Sequence, residues 1–131
     1  MKKVSIIIPC YNEESNLINL YQNLASFMNE HSEYLWQILL INDGSRDHTF
    51  EIIKDIRTKD KRFCYIHLSR NFGKENAMLA GFDHVHGDCC IIMDADLQHP
   101  IQVIPKMLKL WEQGYDDVYA KRKKRGKEDR K

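Results

Sequence analysis

Apolar residues fall along this chain in two alternating textures. Short runs rich in β-branched residues, Val4 to Ile8 (VSIII), Gln37 to Ile41 (QILLI), Phe63 to Leu68 (FCYIHL) and Cys89 to Met93 (CCIIM), alternate with stretches where apolar residues recur every three or four positions. The runs predict strands and the stretches predict helices with one apolar face. A weaker strand is predicted over Asp117 to Ala120. In the first helix Leu17, Leu20, Tyr21, Leu24, Phe27 and Met28 share a face, with Asn12 as N-cap. The second carries Phe50, Ile53 and Ile56 behind the turn DGSRDHT, with Ser45 or Asp47 as cap. The third runs roughly from Lys74 to His86, where HVHGD closes the helix before Gly87 rather than binding metal. The fourth begins at Pro100, a residue suited to a first helical position, and presents Val103, Ile104, Met107, Leu108 and Trp111 until Gly114 stops it. Strand alternating with helix predicts βαβ units: an α/β domain with a mainly parallel sheet and helices on both faces.

In such a sheet the C-terminal ends of the strands share one edge, and ligands bind there. The four exits read PCYNEE, NDGSRD, SRNFGK and DADLQHP. Turn and cap chemistry accounts for some of these polar residues, but not for Asp43, Asp94 and Asp96 collected on one edge. Two aspartates one residue apart can aim at one point, where they repel each other unless a cation intervenes. With the Gln98 amide they form a hard oxygen set suited to Mg2+ or Mn2+, cations that keep waters and bind phosphates. Tyr11 offers a ring on which a base can stack, Glu13 an acceptor for a ribose hydroxyl, and Asp43 an acceptor for the N3 hydrogen of a uracil. Arg70 and Lys74 supply positive charge for a diphosphate, or pair on the surface. Neither GxGxxG nor GxxxxGK[ST] is present, so a dinucleotide fold of the usual type and a P-loop are not indicated.

Charge adds one feature. Of 131 residues, 43% hydrophobic with net charge +1, the last eleven hold eight of the twenty basic and two of the nineteen acidic residues. Residues 121–131 are therefore +6 and the first 120 are −5. Such a strip suits an anionic surface such as phospholipid, or is simply solvated charge. The four cysteines have no CxxC spacing and read as small buried hydrophobes in a reducing compartment. The apolar run after Met1 is too short for a signal peptide, and no run approaches the length of a membrane span.

VSIIIPCYNEESNL, INDGSRDHT, SRNFGKENAMLAGFDHVHGD and IIMDADLQHP resemble, in order, the successive motifs of family 2 glycosyltransferases with the Rossmann-like GT-A fold. Within them the chain is similar to the polyprenyl-phosphate (bactoprenol or dolichol-phosphate) type. The resemblance implies inverting transfer of a hexose, such as glucose, from a UDP-hexose to a membrane polyprenyl phosphate. It implies that Pro9, Tyr11, Asn12, Glu13, Asp43, Arg70, Lys74, Asp94 and Ala95 hold the nucleotide. Asp94 and Asp96 would be the catalytic pair and, with Gln98, the metal ligands, while Arg122 would face phosphate near the acceptor. It also implies a nucleotide-sugar domain over residues 1–120, incomplete at its C-terminus, with a basic tail over 121–131 that meets an anionic membrane surface. Family members continue into an interfacial helix and often into membrane spans. The expectation is thus a soluble donor-binding part, transferring sugar poorly or not at all, of a protein at the cytoplasmic face of the membrane, with no nucleic-acid partner.

Two other readings stay open at this level. A sugar nucleotidyltransferase also places carboxylates at the edge of such a sheet, but asks for a glycine-rich loop after the first strand, and PCYNEE has no glycine. A receiver-like or nucleic-acid-binding α/β module would share the acidic pocket and basic tail, but would show no metal-dependent binding of UDP.

Overall fold

The computed structural model describes residues 1–85, 87–97 and 101–114. The chain divides into two compact units, Met1–Asp96 and Leu97–Lys131. The first contains β1 (Lys3–Cys10), α1 (Leu17–Glu30), β2 (Leu35–Asp43), α2 (Thr49–Lys59), β3 (Phe63–Leu68), α3 (Lys74–Phe82) and β4 (Cys89–Ile92). Every strand pairing is parallel, in the order β3-β2-β1-β4.

Side chains alternate along each strand, so register assigns them to faces. Ile6 and Ile8 align with Ile38 and Leu40, and Ile38 with Phe63, on the face that takes α1 and α2. There the Tyr21 ring of α1 meets Phe63 edge-on at 5.2 Å, and Phe50 of α2 meets Tyr65 at 5.4 Å. Ile7, Leu39 and Ile41 occupy the opposite face with Ala77 of α3. This helix lies close to the sheet: a Cβ added at Gly81 would be 2.9 Å from Ile7. Covering both faces explains why β1 and β2 read as continuous apolar runs instead of alternating ones. Each fully buried Ile or Leu, among them Ile6, Ile7, Ile8, Leu20, Leu24, Ile38 and Ile53, stabilises the fold by roughly 1.5–3 kcal/mol relative to exposure.

Several boundaries differ from the sequence expectation. Helix α1 starts at Leu17, with Asn16 in the N-cap position and no side-chain capping bond. Asn12 is not its cap: at φ 54 it diverts the chain, and a turn at Glu13–Asn16 intervenes, closed by the Asn16 amide on the Glu13 carbonyl at 2.9 Å. His48 occupies the N-cap position of α2, although Asp47 supplies the bond, accepting the Thr49 amide at 2.9 Å. Helix α3 ends at Phe82, well short of His86. Gly87 serves a close approach instead of ending a helix, since a Cβ there would lie 2.6 Å from the Ser5 hydroxyl. Beside it Asp88 and Lys3 exchange bonds, amide to carbonyl at 2.8 Å and amide to carboxylate at 2.8 Å, which aligns β4 with β1. Of the cysteines, Cys10 is buried, Cys64 and Cys89 are partly so, and Cys90 is exposed. The reading of all four as buried fails at Cys90, which shares the α3 face of edge strand β4, whereas α3 packs on β1, β2 and β3.

In the second unit the described residues form a 3-10 turn, Ile101–Val103, and α4 (Ile104–Glu112). Ile104 and Leu108, one helical turn apart, are buried, and Gly114 at φ 105 follows the helix. The helix starts later than expected, with Pro105 in its first turn, where a missing N–H costs nothing. Pro100, His86, Gln98, the strand expected over Asp117 to Ala120, Arg122 and the basic tail lie outside the described residues. Among the described residues no helix is long and apolar enough to cross a membrane.

Candidate functional site

Because the four described strands are parallel, the exits of β1, β2, β3 and β4 lie along one edge. Strand order reverses between β1 and β4, the point where sheets of this type open a crevice. The last rung there is the Met93 amide donating to the Ile7 carbonyl at 3.1 Å. Pro9, two residues on and turned the same way, has no N–H to offer. The chain after β4 is thereby released from β1 just where Met93 leads into Asp94, Ala95 and Asp96.

Within that segment Ala95 is buried and acts as the anchor, Asp94 is half-buried and Asp96 is exposed. The Lys74 ammonium lies 2.6 Å from an Asp94 carboxylate oxygen. Lys74 is the first residue of α3, set there by Gly73, whose φ of 98 favours glycine. Among the described residues no three His, Cys, Asp or Glu side chains converge on a metal position. Of the expected donors, Asp94 and Asp96 lie among the described residues, and their hard carboxylate oxygens are of the kind that suits a Mg2+ or Mn2+ ion completing its sphere with water and phosphate oxygens rather than an all-protein cage.

The exits of β1 and β2 are joined by reciprocal hydrogen bonds. The Asn12 amide donates to the Ser45 hydroxyl at 2.9 Å, and the Arg46 amide returns a bond to the Asn12 carbonyl oxygen, Oδ1, at 2.8 Å. Next to them the Glu13 amide donates to Thr49 Oγ1 at 2.8 Å, and the Asn16 amide group holds the Glu13 carboxylate at 2.7 Å. Asp47 accepts the amides of Thr49 at 2.9 Å and Glu14 at 3.3 Å. Backbone positions are thus fixed while Tyr11, 43% exposed, keeps its ring open to a ligand. Burial, and secondarily Glu13, pushes the Cys10 thiol far up, so the one cysteine at this edge is a neutral filler with no nucleophilic role.

Asp43 is buried at the end of β2. Its Oδ1 accepts the Phe72 amide at 2.8 Å, and its Oδ2 accepts the Gly73 amide at 3.1 Å and the Asn71 side-chain amide at 3.2 Å. Asp43 therefore anchors the loop between β3 and α3, a task the sequence reading did not foresee. A carboxylate offers about four lone-pair sites, so any bond to a base comes in addition to that anchoring. Gly44 lets the two loops touch: at φ 68, a Cβ on it would lie 2.2 Å from the Arg70 carbonyl carbon. The Arg70 guanidinium in turn lies over the Phe72 ring, 4.6 Å from its centroid.

Pro9, Tyr11, Asn12, Glu13, Asp43, Arg70, Lys74, Asp94, Ala95 and Asp96 accordingly all stand at one edge of the first unit, and the structure pairs Lys74 with Asp94. Sequence reasoning missed Asn42, Thr49, Asn71 and Phe72 as residues that hold this edge together, and gave Asp47 a helix cap but not its bond to the loop after β1. The one available signal was Asn42, a polar residue continuing an apolar strand.

Comparison with known proteins is consistent with this geometry. The sequence matches the family profile described as glycosyl transferase family 2 over residues 5–131. CsbB of Bacillus subtilis (strain 168), a protein that carries a glycosyltransferase name, is 49% identical over 124 residues, 94% of this chain and 37% of CsbB. The bactoprenol glucosyl transferase of Shigella phage SfX is 41% identical over 128 residues, 98% of this chain and 42% of that protein. This chain thus spans about two fifths of the length of these relatives. Among solved structures, the mannosyltransferase PcManGT from Pyrobaculum calidifontis, in complex with GDP-Man and Mn2+, superposes with a TM-score of 0.67 at 19% identity, over 78% of this chain and 30% of its own. Residues 1–349 of S. aureus TarS, in complex with UDP, superpose with a TM-score of 0.62 at 25% identity, over 72% of this chain and 27% of its own. The Rossmann-like α/β architecture is that of the GT-A glycosyltransferases. With its polar strand exits along one edge and the family profile matched from Ser5 to its last residue, the chain belongs to glycosyl transferase family 2.

Proposed function

We propose that this chain is the donor-binding part of an inverting hexosyltransferase, which passes a hexose such as glucose from UDP to a polyprenyl phosphate. The observation that carries the reading is the pair Asp94 and Asp96 leaving β4 at the point where strand order reverses, beside the exit of β1. The bactoprenol glucosyl transferase name of relatives at 41% identity supports the sugar and the acceptor. The UDP in the TarS complex supports the base.

Tyr11 stacks on the uracil, Asp43 takes its N3 hydrogen while holding the loop at Phe72, and Glu13 accepts from the ribose. Pro9, Asn12 and Ala95 shape the floor through their backbones. Arg70 and Lys74 face the diphosphate, and Asp94, Asp96 and Gln98 hold a divalent cation. Such a cation, Mg2+ or Mn2+, neutralises the charge that grows on a departing diphosphate. Attack in line with the leaving group inverts the anomeric carbon. The acceptor phosphate, with a second pKa of about 6, is already anionic at neutral pH, so the chemistry does not ask for a strong general base. Arg122 and the basic strip 121–131 would meet acceptor phosphate and anionic headgroups, in keeping with a protein that works at the cytoplasmic face of a membrane.

Calorimetry with Mn2+ tests the donor assignment. UDP should bind at least about tenfold more tightly than GDP, a difference of about 1.4 kcal/mol. Equal affinities, or binding of neither, would contradict it.

A further inference from the structure

We propose that His67 is a positioning residue for the donor site, acting through Asn42 on the turn after β2 and, through that turn, on the loop after β1. The proposal rests on the donor reading above for its functional consequence, and on hydrogen bonding for its mechanism.

Asn42 lies in β2 with its side chain fully buried. Its Oδ1 accepts the Ser45 amide at 3.3 Å, which turns its Nδ2 toward His67, 2.9 Å from Nδ1. An amide nitrogen only donates, so Nδ1 of His67 is the acceptor and the neutral ring carries its proton on Nε2. The linkage continues outward. The Ser45 hydroxyl accepts the Asn12 amide, and Asn12 accepts the Arg46 amide. Four residues, His67, Asn42, Ser45 and Asn12, therefore connect edge strand β3 to the exits of β2 and β1.

His67 is exposed on β3, and an exposed imidazole has no inherent reason to hold one orientation. Here Phe50 fixes it, stacking on the ring at 4.0 Å and 9°, with the Lys54 ammonium 4.6 Å from the centre of the Phe50 ring. The stack supplies orientation and Nδ1 supplies the acceptor. Without that acceptor the buried Asn42 amide must go unpaired, at the cost of its desolvation, or rotate and release Ser45. Either response loosens the turn that carries Asp43 and Gly44.

Two substitutions separate the roles. His67→Phe keeps a ring against Phe50 and removes the acceptor, whereas His67→Asn keeps a side-chain oxygen near the place of Nδ1 and removes the stack. The readouts are hydrogen exchange of the Ser45 and Arg46 amides and UDP affinity with Mn2+ present. In His67→Phe both protection and affinity should fall about threefold to tenfold, the worth of one hydrogen bond. His67→Asn should retain most of both. Undiminished protection in His67→Phe overturns the proposal, as does lost protection with unchanged UDP affinity. A wild-type chain that binds no UDP overturns the donor reading instead, and the exchange data still report on the linkage.

Discussion

The ammonium of Lys74 sits 2.6 Å from a carboxylate oxygen of Asp94, the acid proposed to hold a metal. Lys74 is more than half exposed and Asp94 largely covered, so the pair lies in a screened environment. Its main effect is to hold Asp94 in place and to offset its charge. In the proposed reading Asp94 would hold the cation and Lys74 would face the diphosphate, so donor binding would break this contact.

Opposite signs are therefore predicted for Lys74→Met. Removing the ammonium leaves Asp94 and Asp96 without that counter-charge, so Mn2+ alone should bind more tightly, by about threefold to tenfold at the effective dielectric of a protein surface. UDP in the presence of Mn2+ should bind more weakly by a similar factor. Titration of Mn2+ followed by paramagnetic resonance, and calorimetry with UDP, check the two signs. A parallel loss in both would mean that Lys74 only supports the fold.

Gly44 and Gly73 both adopt positive φ, but their surroundings differ. Gly44 has no space for a Cβ against Arg70 and Asn71, whereas Gly73 has nothing within 4 Å. Gly73→Ala, at φ 98 and ψ 152, should cost about 1–3 kcal/mol, the strain of the backbone alone. Gly44→Ala should cost at least about 3 kcal/mol, because two loops must separate to admit the methyl group. Denaturant titrations of the two variants provide the comparison, and equal losses would contradict the contact between loops.

At the start of β3, Arg62 holds Asp60 with hydrogen bonds at 2.6 and 2.9 Å. The side-chain bond from Arg62 keeps the Asp60 carboxyl below its usual range, outweighing the upward push of burial. A carboxyl depressed by folding contributes stability that is fully present above its unfolded pKa, about 3.9, and is lost as pH falls through the folded value. Asp60→Asn should therefore lower stability by about 1 kcal/mol at pH 7. Its stability should converge with that of the wild type as pH drops well below 4. A gap of constant size across that range would exclude the ion pair as its source.

How much of this was legible in the sequence depended on whether local chemistry or tertiary approach set each feature. Strand β3, from Phe63 to Leu68, has its expected bounds, because turn residues precede it and its β-branched and aromatic content is clear. Strand β2 runs past Ile41 through Asn42 and Asp43, since both pair with β3, at His67 and Leu68, while their side chains hold loops. Polar residues there looked like a turn because, apart from Ser45 three residues on, their partners His67, Phe72 and Gly73 are distant in sequence. Gly87 looked like the end of a helix, a local signal, but its contact with Ser5 spans the domain. The acids at the edge were legible because parallel topology alone gathers strand exits. The bonds that fix them were not, because they depend on which loops touch.

The account depends on carboxylates at the exit of β4 that bind nucleotide through a shared cation. The direct measurement is calorimetric titration of UDP into the wild-type chain and into Asp96→Asn, each with Mn2+ and with a chelator. The account predicts that Mn2+ strengthens UDP binding to the wild type by about tenfold or more, and that Asp96→Asn removes most of that gain. Equal UDP affinity with and without Mn2+ in the wild type, or an Asp96→Asn variant that responds to Mn2+ as the wild type does, would contradict it.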